Sequence, residues 1–135
     1  MAQEDWTTIK EGDKGSHVKF LQYALCILDF LPVNEIDGIY GPATAQAVHN
    51  LEVKARISVD KGPGVAGGEV WNAIYRRMAS IQKALVENGI PMSVLNGTDG
   101  PATFQAVKEF QFANGLKADG IVGPTTESYL NLVLW

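Results

Sequence analysis

The chain repeats itself, and that constrains its fold more than any other feature. Residues 37–60 read DGIYGPATAQAVHNLEVKARISVD, and residues 96–119 read NGTDGPATFQAVKEFQFANGLKAD, at an offset of 59 with no gap. Nine of the 24 pairs are identical: Gly38/Gly97, Gly41/Gly100, Pro42/Pro101, Ala43/Ala102, Thr44/Thr103, Gln46/Gln105, Ala47/Ala106, Val48/Val107 and Asp60/Asp119. The likeness runs upstream, where Leu21–Leu25 lies on Ile81–Leu85 at an offset of 60, and downstream, where Gly67–Ile74 lies on Gly123–Leu130. Self-similarity at a fixed period marks one supersecondary unit used twice. The units divide the chain into residues 7–76 and 77–135. A unit of about 60 residues buries too little surface to be secure alone, so the two copies are expected to pack on each other.

Each unit reads as three helices. Val18, Leu21, Leu25 and Leu28 recur at three- and four-residue steps, which predicts a first helix from Ser16 to Phe30 with Ser16 as its N-cap. Gly41-Pro42 opens a second helix, with proline at the first position, where its missing N–H is harmless. Thr44, Ala47, Val48, Leu51 and Ala55 form its stripe, as Thr103, Ala106, Val107 and Phe110 do after Gly100-Pro101, up to Gly115. A third helix starts near Gly68 in the first unit and at Gly123-Pro124 in the second, where it runs towards Leu132. Between Gly68 and Gly89 there is no glycine or proline, and Val70, Ile74, Met78, Ile81 and Leu85 keep one stripe. The third helix of unit one should therefore continue into the first helix of unit two. The fold class expected is all-α: two tandem three-helix bundles joined by a continuous helix. Asp37-Gly38, Asn96-Gly97 and Asp119-Gly120 read as turns, and Ile39-Tyr40 and Ile121-Val122 as short extended segments.

Composition excludes several functions. The net charge is −4 and the basic residues form no run, which argues against nucleic acid and anionic lipid. No apolar stretch is long enough to span a membrane, so no membrane insertion is expected. The start, Met1 to Asp5, is acidic and does not read as a secretory signal. Cys26 is the only cysteine and falls inside an apolar helical pattern, where it reads as a small buried hydrophobe. His17 and His49 lie in no zinc-binding frame and read as surface residues. No serine sits in a nucleophile motif, and no pair of carboxylates is singled out for glycoside cleavage. The expectation is a protein that is not an enzyme and carries no cofactor and no metal.

The pattern Gly12-x-x-Gly15-x-x-Val18-x-x-Leu21-Gln22-x-x-Leu25, followed by Asp37-Gly38-x-x-Gly41-x-x-Thr44-x-x-Ala47-Val48, resembles the peptidoglycan-binding domain attached to many bacterial wall hydrolases and phage endolysins. The second unit resembles it more closely, in Ala106-Val107-x-x-Phe110-Gln111-x-x-x-Gly115-Leu116-x-x-Asp119-Gly120-Ile121-Val122-Gly123-x-x-Thr126-x-x-x-Leu130. The resemblance covers nearly the whole chain. It implies a three-helix bundle that adheres to peptidoglycan, through glycan strand or stem peptide, and brings a linked or associated hydrolase or particle protein to the wall. It places the chain at the cell wall, in the periplasm or outside the cell. An alternative is a structural adaptor in a phage or secretion particle that reuses the fold for protein contact. There are departures from the family pattern. Unit two has no counterpart of the Gly12–Gly15 loop, and unit one has Leu51-Glu52 where the family shows Phe-Gln, so the two copies are not expected to be equivalent.

Wall fragments offer sugar faces, amides and carboxylates, which need apolar platforms and a few hydrogen-bonding groups. The loop-to-helix corners supply these. The residues expected at ligand contacts are Asp37, Tyr40, Gly41 and Thr44 in the first corner, Asp99, Gly100 and Thr103 in its copy, and Asp119, Val122, Gly123 and Thr126 before the last helix, with Trp71 beside the third helix. Helix starts favour anions, so the N–H groups behind Pro42, Pro101 and Pro124 are candidates for stem-peptide carboxylates. Each of these residues also has a purely structural reading. The threonines cap or pack their own helices, Asp37, Asn96 and Asp119 form turns, Gln22 and Gln82 bond a neighbouring loop, and Trp71 is either core or groove wall. Phe104, Phe110 and Phe112 read as structural. Trp6 and Trp135, near the chain ends, seal the bundle or cover a contact between units.

Overall fold

The structure, a computed structural model, describes residues 8–57, 62–133 and 135; Trp6 and Asp60 lie outside the described residues. Among the described residues five α-helices follow one another: α1 (Ser16–Ile27), α2 (Pro42–Ala55), α3 (Gly68–Glu87), α4 (Gly100–Ala113) and α5 (Pro124–Leu130), with a single 3-10 turn at Val33–Glu35. No strand occurs among the described residues; only isolated bridges pair Ile9 with Ala66 and Lys14 with Ile39.

The six helical segments expected from two three-helix units fold as five because α3 is continuous. It runs 20 residues without a break and buries Val70, Trp71, Ile74, Met78, Ile81 and Leu85 along one side. Its first half closes the first unit and its second half opens the next. Gly89, at φ 87°, follows the Asn88 cap.

Helix ends depart from the sequence reading in three places, each for a local reason. Ser16 is the first helical residue of α1 rather than its cap; Gly15 takes the cap position and no side chain bonds the helix start. The same helix stops at Ile27, short of Phe30, because Asp29 turns left-handed at φ 72° and the Phe30 N–H donates back to the Leu25 carbonyl at 2.8 Å. Asn131 does the same to α5 at φ 59°, ending it at Leu130. Asp and Asn tolerate this backbone region better than other non-glycine residues.

One buried apolar cluster takes side chains from both units, including Leu21, Leu25, Ile74, Ile81, Val107 and Phe110. Helix α1 packs on α4 as well as on α2. Tyr23 meets Phe104 edge-on at 6.2 Å between ring centres, and the Val122 N–H donates to the Ile27 carbonyl at 2.7 Å. The Arg77 guanidinium, itself buried, binds Glu127 Oε2 at 2.8 Å and the Val133 carbonyl at 2.7 Å, and lies 4.9 Å over the Trp135 ring. Trp135 also meets Phe30 of the first unit at 5.8 Å, so the last residue does cover a contact between units. Cys26 is fully buried, and burial followed by the nearby charges of Asp119 and Asp29 pushes its thiol up to about 11.

Candidate functional site: four clamped corners

A single buried side chain reaches from each of the first four helices to organise the corner before the next one. From α1, Gln22 Oε1 accepts the N–H of Asp37 (3.0 Å) and Gly38 (2.7 Å), while its Nε2 donates to the Ile39 carbonyl (2.9 Å) and Thr44 Oγ1 (3.0 Å). In α3, Gln82 repeats the arrangement on Gly97 N–H (2.9 Å), the Thr98 carbonyl (2.6 Å) and Thr103 Oγ1 (2.9 Å). From α4, Gln111 does it on Gly120 N–H (2.9 Å), the Ile121 carbonyl (2.9 Å) and Thr126 Oγ1 (3.1 Å). Glu52 of α2 takes the fourth place: its Oε1 accepts the Gly64 N–H at 3.2 Å. An amide side chain suits this task because it presents an acceptor to the turn N–H and donors to the carbonyl and the threonine hydroxyl at once.

These clamps decide the roles of the candidate residues. Thr44, Thr103 and Thr126 are buried and engaged with their glutamines, so their hydroxyls serve the corner. Asp37 is exposed at the first turn; the Ile39 N–H, then Gln22, hold its carboxyl below the usual range. Asp119 makes the same turn, accepting from Ile121 N–H at 2.9 Å and from Gln111 Nε2 at 3.0 Å. Asp99, left-handed at φ 65°, caps α4 by accepting the Ala102 N–H at 3.2 Å.

Tyr40 is not the exposed platform that its place in the corner suggests. Its ring is 1% exposed, its hydroxyl donates to the Gly64 carbonyl, and burial pushes that hydroxyl up. The side chain points inward because Tyr40 is paired with the leading loop: its N–H donates to the Asp13 carbonyl and its carbonyl accepts from Gly12. Trp71 is core rather than groove wall, stacked 6.1 Å from Phe20. Val122 is likewise buried. Phe112 departs from its structural reading, since it is 82% exposed on α4.

The corners differ in access. In the second copy of the first corner the glycines are shut in by the other unit, since a methyl group at Gly100 would come within 2.7 Å of the Tyr23 side chain and one at Gly97 would drive into the Tyr75 carbonyl, while Asn96, Asp99 and Pro101 stay exposed. Tyr75 sits 60 residues after Gly15, whose carbonyl faces Gly38 in the first corner. The continuous helix thus fills the place of the missing loop. In the first corner Asp37, Ile39 and Pro42 remain exposed and Gly41 is half-buried. The corner before α5 opens into a recess of about 330 Å³, lined by Asp29, Lys117, Asp119, Gly123, Thr125 and Thr126 among others. Asp29 arrives there from the end of α1, with its Oδ2 3.5 Å from where a methyl group on Gly123 would stand. Burial, then the charges of Asp119 and Glu127, raise its carboxyl. A carboxylate already placed against the α5 start leaves that end suited to hydroxyls and amides rather than to a second anion.

Sequence reasoning missed Glu52 and Gln111 as clamps and Asp29 as a wall of the recess. The first two had a signal: Gln22, Glu52, Gln82 and Gln111 recur every 29 or 30 residues. Asp29 had none, since only the packing of α1 against the second unit brings it there. Among the described residues no three His, Cys, Asp or Glu side chains gather as a metal site, and no helix is long and apolar enough to cross a membrane.

Residues 14–74 and 76–130 each match the family described as a putative peptidoglycan binding domain. The chain is similar to the N-acetylmuramoyl-L-alanine amidase CwlL of Bacillus licheniformis, 32% identical over 95% of this chain and 46% of the relative. It is also similar to a probable N-acetylmuramoyl-L-alanine amidase of the same organism, 35% identical over 89% of this chain and 43% of the relative. It therefore spans less than half the length of these curated relatives. No solved structure matches it.

Proposed function

Because this chain belongs to the putative peptidoglycan binding domain family, in two tandem copies, we propose that it binds bacterial cell-wall peptidoglycan without catalysis and holds a linked or associated partner at the wall. The observation that carries this reading is the open corner before α5, where a clamped turn, two carboxylates and a lysine line a recess of about 330 Å³. Carboxylates and side-chain hydroxyls that converge in a recess are acceptors and donors for sugar hydroxyls and for the amides of N-acetyl groups. Asp119 and Gly123 are the contact residues there, joined by Asp29 and Lys117, while the Thr126 hydroxyl is taken up by Gln111. Asp37 and Gly41 form a lesser contact at the first corner. Asp99, Gly100 and Thr103 are reserved for the fold, so the two copies, 7–76 and 77–135, bind unequally. The amidases named above support a wall hydrolase as the kind of partner brought to its substrate.

Purified sacculi incubated with the protein and then spun down test the reading. The protein is expected in the pellet, with Asp29→Ala and Lys117→Ala each shifting it towards the supernatant. Folded wild-type protein left wholly in the supernatant overturns it, and so does release of reducing sugar or free amine from the sacculi, which marks a hydrolase.

A further inference from the structure

A second recess, of about 320 Å³, lies between α3 and the residues Val133 and Trp135. One helix face supplies its polar wall: Glu69, Asn72, Arg76 and Ser80, at steps of three and four residues. Val133 and Trp135 supply the opposite, apolar wall. That wall is fixed rather than loose, because Arg77 holds the Val133 carbonyl at 2.7 Å and its guanidinium covers one part of the Trp135 indole. Arg77 is thereby spent on Glu127, Val133 and Trp135. Arg76 is exposed, and its guanidinium makes no ion pair among the described residues. Val133 is 78% exposed although it borders a recess, which leaves an apolar side chain for a ligand to cover.

The two ends of the polar wall have opposite sign. Seven residues separate Glu69 from Arg76, about 10 Å along the helix at 1.5 Å per residue. A guanidinium recognises a carboxylate through paired N–H donors. A carboxylate at the other end suits an ammonium. Asn72 lies between them and matches a peptide amide, as donor and acceptor.

From this arrangement we propose that the recess is a second wall contact that takes a short peptide with a free carboxylate on Arg76, an amine towards Glu69 and apolar groups over Val133 and Trp135. In peptidoglycan that chemistry belongs to a stem peptide carrying a diamino acid. The inference rests on the wall-binding reading and divides the ligand: glycan and amide groups at the α5 corner, the charged peptide in the recess beside α3.

The test uses the full chain, a synthetic stem tetrapeptide containing a diamino acid, and its C-terminal amide. Amide chemical shifts are followed during titration, and sacculus sedimentation is run in parallel with wild type and Arg76→Glu. The expected result is that tetrapeptide shifts cluster at 69–80, Val133 and Trp135, with at least tenfold weaker binding for the amidated peptide and for Arg76→Glu. Because Arg76 is exposed, the variant should melt with wild type, and that is checked first. If wild type sediments with sacculi but tetrapeptide shifts fall at the α5 corner and Arg76→Glu binds unchanged, the recess assignment is overturned while wall binding stands. Peptide bound in the recess by a protein that leaves sacculi untouched keeps the assignment and overturns the wall reading. Neither sacculus nor peptide binding overturns both.

Discussion

Replacing Gln111 by methionine keeps the length and bulk of the side chain and removes every hydrogen bond of the last clamp. Gln111 is 1% exposed. Its partners are Gly120 N–H, the Ile121 carbonyl, Thr126 Oγ1 and Asp119 Oδ1. Asp119 is only half-buried and regains water. Gly120 is buried, and its N–H is left without a partner, a cost of about 1–3 kcal/mol. The bonds to Ile121 and Thr126 contribute about 1 kcal/mol each, and the apolar thioether returns roughly 1 kcal/mol by burial. The net loss is about 3 kcal/mol, a large share of the roughly 5–15 kcal/mol that holds a domain together. Urea unfolding should show it as a lower midpoint at unchanged slope, and melting as a fall of roughly 10 °C. Glu52→Gln is the contrasting case. The new amide still accepts from Gly64 and removes a buried carboxyl, so its stability should stay within about 1 kcal/mol of wild type. A Gln111→Met protein as stable as wild type would refute the clamp as an organising element.

Three further outcomes follow from the same geometry. Gly97→Ala combines a positive φ of 90° with a collision against the Tyr75 backbone and should cost about 3–5 kcal/mol in chemical unfolding, whereas Gly38→Ala, with 3.8 Å of clearance at φ 78°, should cost about 1–2 kcal/mol; equal losses would deny that the corner is seated on α3. Cys26, with a thiol raised to about 11, should react with a disulfide reagent at pH 8 at least 100-fold more slowly in the native protein than in denaturant, roughly one thiol in a thousand being ionised at that pH. The Asp29 carboxyl is raised above its ordinary 3.8, so folding disfavours its ionised form and stability falls as pH rises through the folded value. Asp29→Asn should therefore gain a little at pH 7, under about 1 kcal/mol after solvent screening, and the gain should vanish below about pH 4; a gain that persists in acid would assign it to the left-handed backbone instead.

The five helices and the continuous α3 were legible in the sequence because they follow from local rules. Apolar spacing, Pro42, Pro101 and Pro124 at helix starts and an uninterrupted stretch from Glu69 to Asn88 act over one or two turns. The turns at Asp37, Asn96 and Asp119 were legible for the same reason. The closure of one corner and the opening of another were not. Gly100 looks in sequence like Gly41, yet Tyr23 from the other unit seals the first and leaves the second accessible. Tyr40 reads as an exposed ring beside glycines, and only its pairing with the Gly12–Gly15 loop turns it into the core. Asp29, Arg77 and Trp135 acquire their roles from contacts 50 or more residues away in the chain, as with Arg77 on Glu127 and Val133. Periodicity reports which face of a helix is buried; it carries no information about which distant surface buries it. The helices were thus determined by the residues within them, while the choice of which corner glycines face solvent was decided only when the two units packed.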